Sequence, residues 1–231
     1  MDDAEGQPAF SPQLATEIAE LGVVAVLVID QLRDAVPVAE SLAAGGVRAI
    51  ELTLRTPVAL ECVQQIRAAV PEMLVGVGTI LTTQQVEQVV QAGAAFGVAP
   101  GMNPQTVDAA RLAGLSFAPG VCTPTDIELA VQSGCTLLKF FPCEPCGGLT
   151  YLRSIAAPFA HLGVRFIPLG GIDLANAQTY LEEPLIQAVG GSWIAPRPLI
   201  QQGRWREITD NATAAMRLVE SLRAAAKEQA Q

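Results

Sequence analysis

The sequence is poor in histidine and positive charge. Its 231 residues include one histidine, His161, and 14 Lys or Arg residues against 23 Asp or Glu residues, for a formal net charge of −9. A single histidine argues against a histidine-based zinc site and against a Ser-His-Asp catalytic triad. The scattered basic residues leave nothing to neutralise a phosphate backbone, so we expect no nucleic-acid partner.

Long apolar runs and an even set of cysteines are also missing. The longest apolar run, Val23 to Ile29, is far shorter than the roughly 20 residues that span a bilayer. No basic-then-apolar leader opens the chain, so we expect a soluble, cytoplasmic protein without membrane contact. The five cysteines form an odd set, which in that compartment favours reduced thiols over a disulfide framework.

The chain does contain eight short apolar runs, separated by segments of helical spacing. The runs begin at Val23, Ala49, Leu74, Ala95, Ser116, Thr136, Arg165 and Ile186. Most of them lack polar alternation, which is typical of parallel strands covered on both faces. They start about 20 to 29 residues apart, the length of one βα unit. This spacing predicts a (β/α)8 TIM barrel, and an open doubly wound sheet is the alternative.

The two ends of the chain add helices to this barrel. Residues 1–9 are predicted to be a frayed terminus, and residues 11–21 to form a helix that caps the barrel bottom. A last helix is predicted from about Trp205 to Lys227 on the outside. No stretch rich in Pro, Gly or Ser marks a second domain, so residues 1–231 are expected to form a single domain.

Charged residues occur near the carboxyl ends of two predicted strands, where barrel enzymes have their active sites. In the second run, ELTLRTP, two-residue alternation places Glu51 and Arg55 on one face. Lys139 interrupts the apolar run LLKFF of the sixth strand, so we expect it to meet them inside the barrel. A structural Glu51–Arg55 ion pair and a lysine that reaches solvent are the simpler alternatives.

This combination suits amine chemistry. Burial and the nearby Arg55 disfavour the ammonium form of Lys139, so part of its amine is expected to be neutral. A neutral amine attacks a ketone to form an iminium, an electron sink that allows a carbon–carbon bond beta to it to break. Glu51 is the candidate for moving the protons.

Two pairs of glycines follow the last two predicted strands. Gly170 and Gly171 follow the seventh strand, and the second pair, after the eighth, is followed by Ser192. Bare backbone N–H groups at these loops can approach an anion closely, and barrels commonly build phosphate sites there. Tight barrel turns are the simpler interpretation of either pair alone.

Seven blocks of the sequence together resemble a known family. ELTLRTP, GVGTI, APGMNP, PGVCTPT, KFFP, GGI and GGSW occur in the order and spacing of the 2-keto-3-deoxy-6-phosphogluconate (KDPG) and 4-hydroxy-2-oxoglutarate (KHG) aldolases. These are class I aldolases on a (β/α)8 barrel, and the resemblance covers about residues 21–210. It implies that Lys139 forms the Schiff base, that Glu51 is the acid/base, and that Arg55 binds the pyruvyl carboxylate.

The resemblance also implies the other site residues and the partners. The implied residues are Thr79, Pro100 and Phe141 in the pyruvate pocket and Gly170, Gly171 and Ser192 at the phosphate. The implied substrate is a small-molecule keto acid or sugar-acid phosphate: KDPG, cleaved to pyruvate and glyceraldehyde 3-phosphate, or KHG, cleaved to pyruvate and glyoxylate. The implied assembly is a homotrimer, with neither a metal nor an organic cofactor.

One residue departs from the family pattern. Leu169 stands where many members have a threonine whose hydroxyl helps to hold the carboxylate. Losing a hydrogen bond to a charged group costs about 1.5–3 kcal/mol, so we expect an altered substrate preference. Two alternatives stay open: an oxaloacetate decarboxylase that uses the same lysine, and a barrel that binds a phosphorylated metabolite without turnover.

The Cys-x-x-Cys after the lysine adds one further hypothesis. Cys143 and Cys146 are either plain reduced thiols, the simpler interpretation, or a redox pair beside the active site. A zinc site needs more ligands, and Cys122 is the only obvious additional one. The sequence therefore predicts no metal.

Overall fold

The computed structural model describes residues 8–229, in which parallel strands alternate with helices. The strands are β1 Val23–Leu27, β2 Ala49–Thr53, β3 Leu74–Gly78, β4 Phe96–Val98, β5 Ser116–Ala118, β6 Gly120–Val121, β7 Leu137–Phe140, β8 Arg165–Pro168 and β9 Val189–Gly191. The helices are α1 Pro12–Leu21, α2 Ala35–Ala44, α3 Ala59–Ala69, α4 Thr83–Ala92, α5 Pro104–Leu112, α6 Pro124–Gln132, α7 Gly148–Ala156, α8 Ala177–Leu181, α9 Arg197–Gln201 and α10 Trp205–Gln229. Short 3-10 helices span Leu32–Asp34, Glu144–Cys146 and Ala157–Leu162.

Side-chain caps fix where several helices begin. The Thr82 hydroxyl accepts a hydrogen bond from the Gln85 N–H, and Thr123 and Asp126 form the same kind of capping box at α6. Asn103 caps α5 through its side-chain oxygen. These caps satisfy N–H groups that have no partner within the helix, so each helix starts directly after the loop that leaves a strand.

The strands form two parallel hydrogen-bonded sheets. Their orders are β5-β4-β3-β2-β1-β9 and β6-β7-β8. The predicted fifth strand is divided into β5 and β6 at Pro119, which has no N–H to continue the ladder. The prediction of eight unbroken strands is corrected at this point, because the structure has nine strand segments within residues 8–229.

At the sheet edges opposite β5 and β6, a single isolated β-bridge joins the two sheets. Phe166 of β8 pairs in parallel with Ile186, and the predicted eighth strand, expected from Ile186, begins only at Val189. The curled parallel sheet with its outer helices confirms the predicted α/β barrel class. Its ladder is interrupted at two places, so it is not the fully closed eight-stranded barrel that was expected.

Alternate positions of each strand pack in two separate layers. One layer lies between strands and helices and includes Leu27, Leu52 and Phe166. The other includes Val24, Ala49, Leu137 and Ile167, whose registers place them on the opposite face of the same strands. This second cluster is the inside of the barrel.

The N-terminal segment closes one end of the inner cluster. Ile18 of α1 and Phe10 pack against residues at the starts of the strands, so α1 caps the barrel bottom as predicted. Ala9 is buried, and its carbonyl accepts a hydrogen bond from the Phe117 N–H at 2.8 Å, so the predicted fraying is wrong for this residue. Most of the predicted terminus, residues 1–7, lies outside the described residues. Within residues 8–229, no helix has both the length and the apolar character needed to cross a membrane.

Candidate active site

Glu51 and Lys139 are placed by the alternation of two strands. Ala49 and Leu137 belong to the inner cluster, and each charged residue stands two positions later on the same strand. Both side chains therefore point into the barrel near the carboxyl ends of the strands. The predicted convergence inside the barrel is observed for this pair.

The two side chains form a buried ion pair. Lys139 Nζ lies 2.8 Å from Glu51 Oε1 and 3.1 Å from Oε2, and the residues are 6% and 3% exposed. The carboxylate, rather than Arg55, is thus the charged group that contacts the amine, which corrects the expected environment of Lys139. Nζ also lies 5.5 Å from the centroid of the Phe141 ring, within the range of a cation–π contact.

A missing side chain on β3 makes room for the carboxylate. A Cβ atom added to Gly78 would lie 1.9 Å from Glu51 Oε1 and 2.6 Å from its Cδ. Since real Cβ atoms do not approach other atoms so closely, any larger residue at this position displaces Glu51. The second glycine of the GVG block is therefore part of the site, which sequence analysis did not predict.

The ion pair opens onto a cavity of about 410 Å³ at the carboxyl ends of the strands. The lining residues are Val26, Val28, Glu51, Arg55, Lys139, Phe141, Leu169, Gly170, Gly191, Ser192, Pro196, Arg197 and Pro198. A cavity of this size holds a small molecule and combines an apolar wall with a few convergent polar groups. Six of the nine predicted site residues border it.

Arg55 borders the cavity and is hydrogen-bonded to Thr79. Arg55 is exposed, and its Nε donates a hydrogen bond to Thr79 Oγ1 at 3.4 Å. Thr79 does not border the cavity, but its φ of +63° is rare for a β-branched residue. Such a conformation costs about 1–3 kcal/mol and is concentrated at functional sites.

The two glycines after β8 differ in position. Gly170 and Gly171 have φ values of +96° and +86°, which favour glycine at both positions. Gly170 borders the cavity, whereas Gly171 faces Glu144, whose Cβ would lie 2.5 Å from a Cβ added to the glycine. Ser192 also borders the cavity, as does Leu169, which is buried.

Pro100 lies outside the cavity as well. Its carbonyl group packs against Gly120, where an added Cβ would lie 2.3 Å from the carbonyl carbon and oxygen. The substrate roles of all nine predicted residues stay predictions, and Thr79, Pro100 and Gly171 are the three that do not border the cavity.

Arg197 is the charged cavity residue that sequence analysis missed. It lies five residues after Ser192 in the segment following β9. Its Nε donates to Asp30 Oδ2 at 2.8 Å, and its Nη2 donates to Asp30 Oδ1 at 2.5 Å. The available signal was its place shortly after a strand end, beyond the GGSW block.

The cysteines pair differently from the hypothesis. Cys146 Sγ lies 2.9 Å from Cys122 Sγ, whereas the buried Cys143 contacts the Tyr180 hydroxyl at 3.2 Å. Burial, together with the Cys146 contact, raises the pKa of the Cys122 thiol to about 11. Across residues 8–229, no group of three or more His, Cys, Asp or Glu side chains is arranged to hold a metal ion.

A buried lysine–carboxylate pair beneath an open cavity, at the carboxyl end of a parallel barrel, is the arrangement of an enzyme that uses a lysine amine. The chain belongs to the KDPG and KHG aldolase family, which it matches over residues 14–211. This confirms the resemblance seen in the sequence.

Individual relatives cover most of the chain. It is 41% identical over 194 residues to the KHG/KDPG aldolase of Escherichia coli (strain K12), covering 84% of this chain and 90% of the relative. A KDPG aldolase structure from Legionella pneumophila, with pyruvate captured as a covalent carbinolamine intermediate, is 36% identical with a TM-score of 0.82, over 87% of this chain and 97% of that one. A KDPG aldolase from Zymomonas mobilis ZM4 with 3-phosphoglycerate has 39% identity and a TM-score of 0.80, over 89% and 96% of the two chains.

Proposed function

We propose that this protein is a class I aldolase that cleaves KDPG to pyruvate and glyceraldehyde 3-phosphate, with KHG as a second substrate. The observation that carries the proposal is the 2.8 Å contact between Lys139 Nζ and Glu51 Oε1 beneath the cavity. Relatives named for this reaction, at about 40% identity over most of the chain, support the choice of substrate.

The pair supplies both the nucleophile and the proton carrier. Glu51 takes a proton from the Lys139 ammonium, and the free amine attacks the C2 carbonyl to form a carbinolamine. Loss of water, with Glu51 returning a proton to the leaving hydroxyl, forms the iminium. This is the covalent chemistry of the intermediate captured in the Legionella relative.

The iminium then accepts the electrons of the breaking bond. Glu51 accepts the proton of the C4 hydroxyl, the C3–C4 bond breaks, the aldehyde leaves, and the pyruvyl fragment becomes an enamine. Glu51 then gives this proton to C3, and hydrolysis of the resulting iminium releases pyruvate and restores Lys139. Because the iminium is the electron sink, we propose that no metal or organic cofactor takes part, and activity is expected to survive a metal chelator.

The cavity lining offers groups for both the carboxylate and the phosphate of KDPG. Arg55, held by Thr79, is proposed to bind the carboxylate beside the reacting carbon. Gly170 and Ser192 border the cavity and are proposed to bind the phosphate, with Gly171 beside them. The proposed pocket residues beside the pyruvyl group are Phe141, Thr79 and Pro100.

Borohydride trapping tests the lysine. Incubation with pyruvate and borohydride is expected to add a reduced pyruvyl group to the peptide that contains Lys139, while Lys139→Met loses both adduct and pyruvate release. Lys227, the other lysine of the chain, is exposed on α10, so Lys227→Met is the matched control and should keep both. An unmodified Lys139, or substantial turnover by Lys139→Met, would leave a non-catalytic binding protein as the better interpretation.

Oxaloacetate decarboxylation is the second candidate, and Leu169 is the observation that favours it. A buried leucine lines the cavity at the position where the family resemblance implies a threonine hydroxyl. Pyruvate release from KDPG, KHG and oxaloacetate at matched concentrations separates the two activities. We expect at least a hundredfold preference for KDPG, about 2.7 kcal/mol of transition-state discrimination. A profile led by oxaloacetate would retain the lysine chemistry and overturn the assigned substrate.

We further propose that the enzyme works as a cytoplasmic homotrimer, in keeping with its family. The expected solution mass is three times that of one chain, measured by light scattering after gel filtration. The mass of a single chain at the concentration used for activity assays would contradict the trimer, but it would leave the proposed reaction mechanism unaffected.

A further inference from the structure

Arg197 borders the same cavity as Gly170 and Ser192 and lies five residues after Ser192 in the chain. It stands in the segment after β9, the strand that pairs with β1, and it borders the cavity with Gly170, Gly191 and Ser192. Its partner Asp30, three residues beyond the end of β1, does not border the cavity. Arg197 therefore borders the cavity while its guanidinium contacts a carboxylate that does not line it.

Only part of the guanidinium is used by Asp30. An arginine has five N–H donors in a planar fork. Two bonds to Asp30 occupy the Nε hydrogen and one Nη2 hydrogen. Three N–H groups are left over, and a phosphate monoester offers three acceptor oxygens that match this fork geometry.

Asp30 itself is well held. Besides both Arg197 contacts, it accepts a hydrogen bond from Gln201 Nε2 at 2.8 Å. These bonds, with Arg197 as the largest cause, lower the pKa of the Asp30 carboxyl, so it is ionised near neutral pH. Prolines stand on both sides of Arg197 and restrict the backbone that carries it. The guanidinium is thus oriented before any ligand arrives.

Stability alone does not account for this pair. The Arg197 side chain is 52% exposed, and exposed ion pairs contribute only about 0–1 kcal/mol. The other cavity cations are assigned elsewhere: Lys139 contacts Glu51, and Arg55 contacts Thr79. Arg197 is the remaining cationic residue among those that line the cavity in the described part of the chain, and Gly170 and Ser192 line the same cavity.

We propose that Arg197 is a specificity-determining residue that binds the phosphate of the substrate, with Asp30 as its positioning residue. This inference rests on the proposed aldolase function. It makes Arg197 the group that distinguishes a phosphorylated keto acid from an unphosphorylated one. No charge at the reacting carbon depends on it, so cleavage of KHG does not require it.

The test compares Arg197→Met with Arg153→Met. Arg153 is a close match because its side chain is 58% exposed and contacts Glu183 at 2.5 Å, as Arg197 contacts Asp30, but outside the cavity. For Arg197→Met we expect kcat/KM to fall about 10- to 100-fold with KDPG and to stay within about twofold with KHG. Arg153→Met should leave both values unchanged. An equal loss with both substrates, or no loss with KDPG, would overturn the role.

Inorganic phosphate gives a readout that needs no turnover. Its dissociation constant, measured by calorimetry, is expected to rise at least about tenfold in Arg197→Met and not in Arg153→Met. Arg197→Gln, which keeps a hydrogen-bonding side chain toward Asp30, should show the same rise and serves if the methionine variant folds poorly. If the unaltered protein cleaves neither KDPG nor KHG, the aldolase proposal fails, while this phosphate measurement still decides the role of Arg197.

Discussion

Removing one member of the buried Lys139–Glu51 pair should destabilise the protein, and a double variant that removes both charges tests this. Removing one member of a buried ion pair leaves an uncompensated charge and typically costs about 3–5 kcal/mol. Lys139→Met should therefore lower the free energy of unfolding by about that amount, because Glu51 is only 3% exposed. The double variant Lys139→Met/Glu51→Gln removes both charges and should be more stable than Lys139→Met alone.

Urea denaturation of the four proteins in this cycle measures the coupling. Lys227→Met, on the exposed face of α10, is the control and should shift stability by less than about 0.5 kcal/mol. Purely additive losses from the two single changes would show that the two side chains do not form a coupled pair in solution.

Gly78 controls the position of the Glu51 carboxylate. In Gly78→Ala the new Cβ would meet Oε1 at 1.9 Å, so the carboxylate must move away from Lys139 Nζ. The obstacle is the end of a flexible side chain, so the fold should persist while pyruvate release falls about 100-fold or more, the typical contribution of a positioned general acid or base. Gly101→Ala is the control, since no atom lies within 4 Å of its added Cβ. Full activity in Gly78→Ala would mean that the position of Glu51 does not matter.

The sequence alone predicted those site residues that carry a charge on an otherwise apolar, buried strand. Lys139 and Glu51 stand out because a charge on a buried strand needs a partner, and the two-residue period aims both inward. Gly78 and Arg197 were missed for different reasons. The role of Gly78 depends on a side chain from a neighbouring strand, and that of Arg197 on where the start of α9 meets the cavity. Neither follows from local periodicity.

At the scale of elements, the existence of strands was more predictable than their pairing. Apolar runs located every strand, but the break between β5 and β6 depends on Pro119, whose missing N–H is the sequence signal for it. The carbonyl of Pro119 still accepts a hydrogen bond from the Lys139 N–H at 2.9 Å. The interrupted strand therefore still holds β7, which carries the lysine.

The loops after β6 and β7 bring two thiols together, which predicts a specific disulfide. Oxidised glutathione should link Cys122 to Cys146, taking up two electrons and releasing two reduced glutathiones, because these sulfurs lie 2.9 Å apart. Burial raises the pKa of Cys122 to about 11, so its thiolate fraction and the rate should increase from pH 7 to pH 9. Peptide mass mapping after digestion identifies the linked residues.

Two variants identify which cysteines form this disulfide. Cys122→Ser should abolish the linked peptide, whereas Cys143→Ser should keep it, because Cys143 is buried against Tyr180. A Cys143–Cys146 peptide in the unaltered protein would contradict the arrangement and favour the pairing suggested by the Cys-x-x-Cys spacing.

At the scale of the whole molecule, early and late parts of the chain are interlocked. Strand β1 pairs with β9, and α10 packs on α2, where Thr209 Oγ1 donates to the Ser41 carbonyl at 3.0 Å. An Ala212 methyl lies 2.4 Å from the position of a Cβ on Gly45, so these helices make close contact. Neither half of the barrel is fully packed by itself, because β1 pairs with β9 and α10 packs on α2.

We therefore expect the chain to unfold in one cooperative transition, as the single predicted domain requires. Both tryptophans, Trp193 and Trp205, lie in the last fifth of the sequence, so their fluorescence follows the C-terminal part while far-UV circular dichroism follows helices throughout. The two signals should have the same urea midpoint at each protein concentration. A trimer that dissociates on unfolding makes that midpoint rise with concentration, and both probes should rise together. A fluorescence transition at lower urea than the helical one would show instead that α10 and β9 detach first, and that the interlocking of β1 with β9 does not make the barrel a single unit.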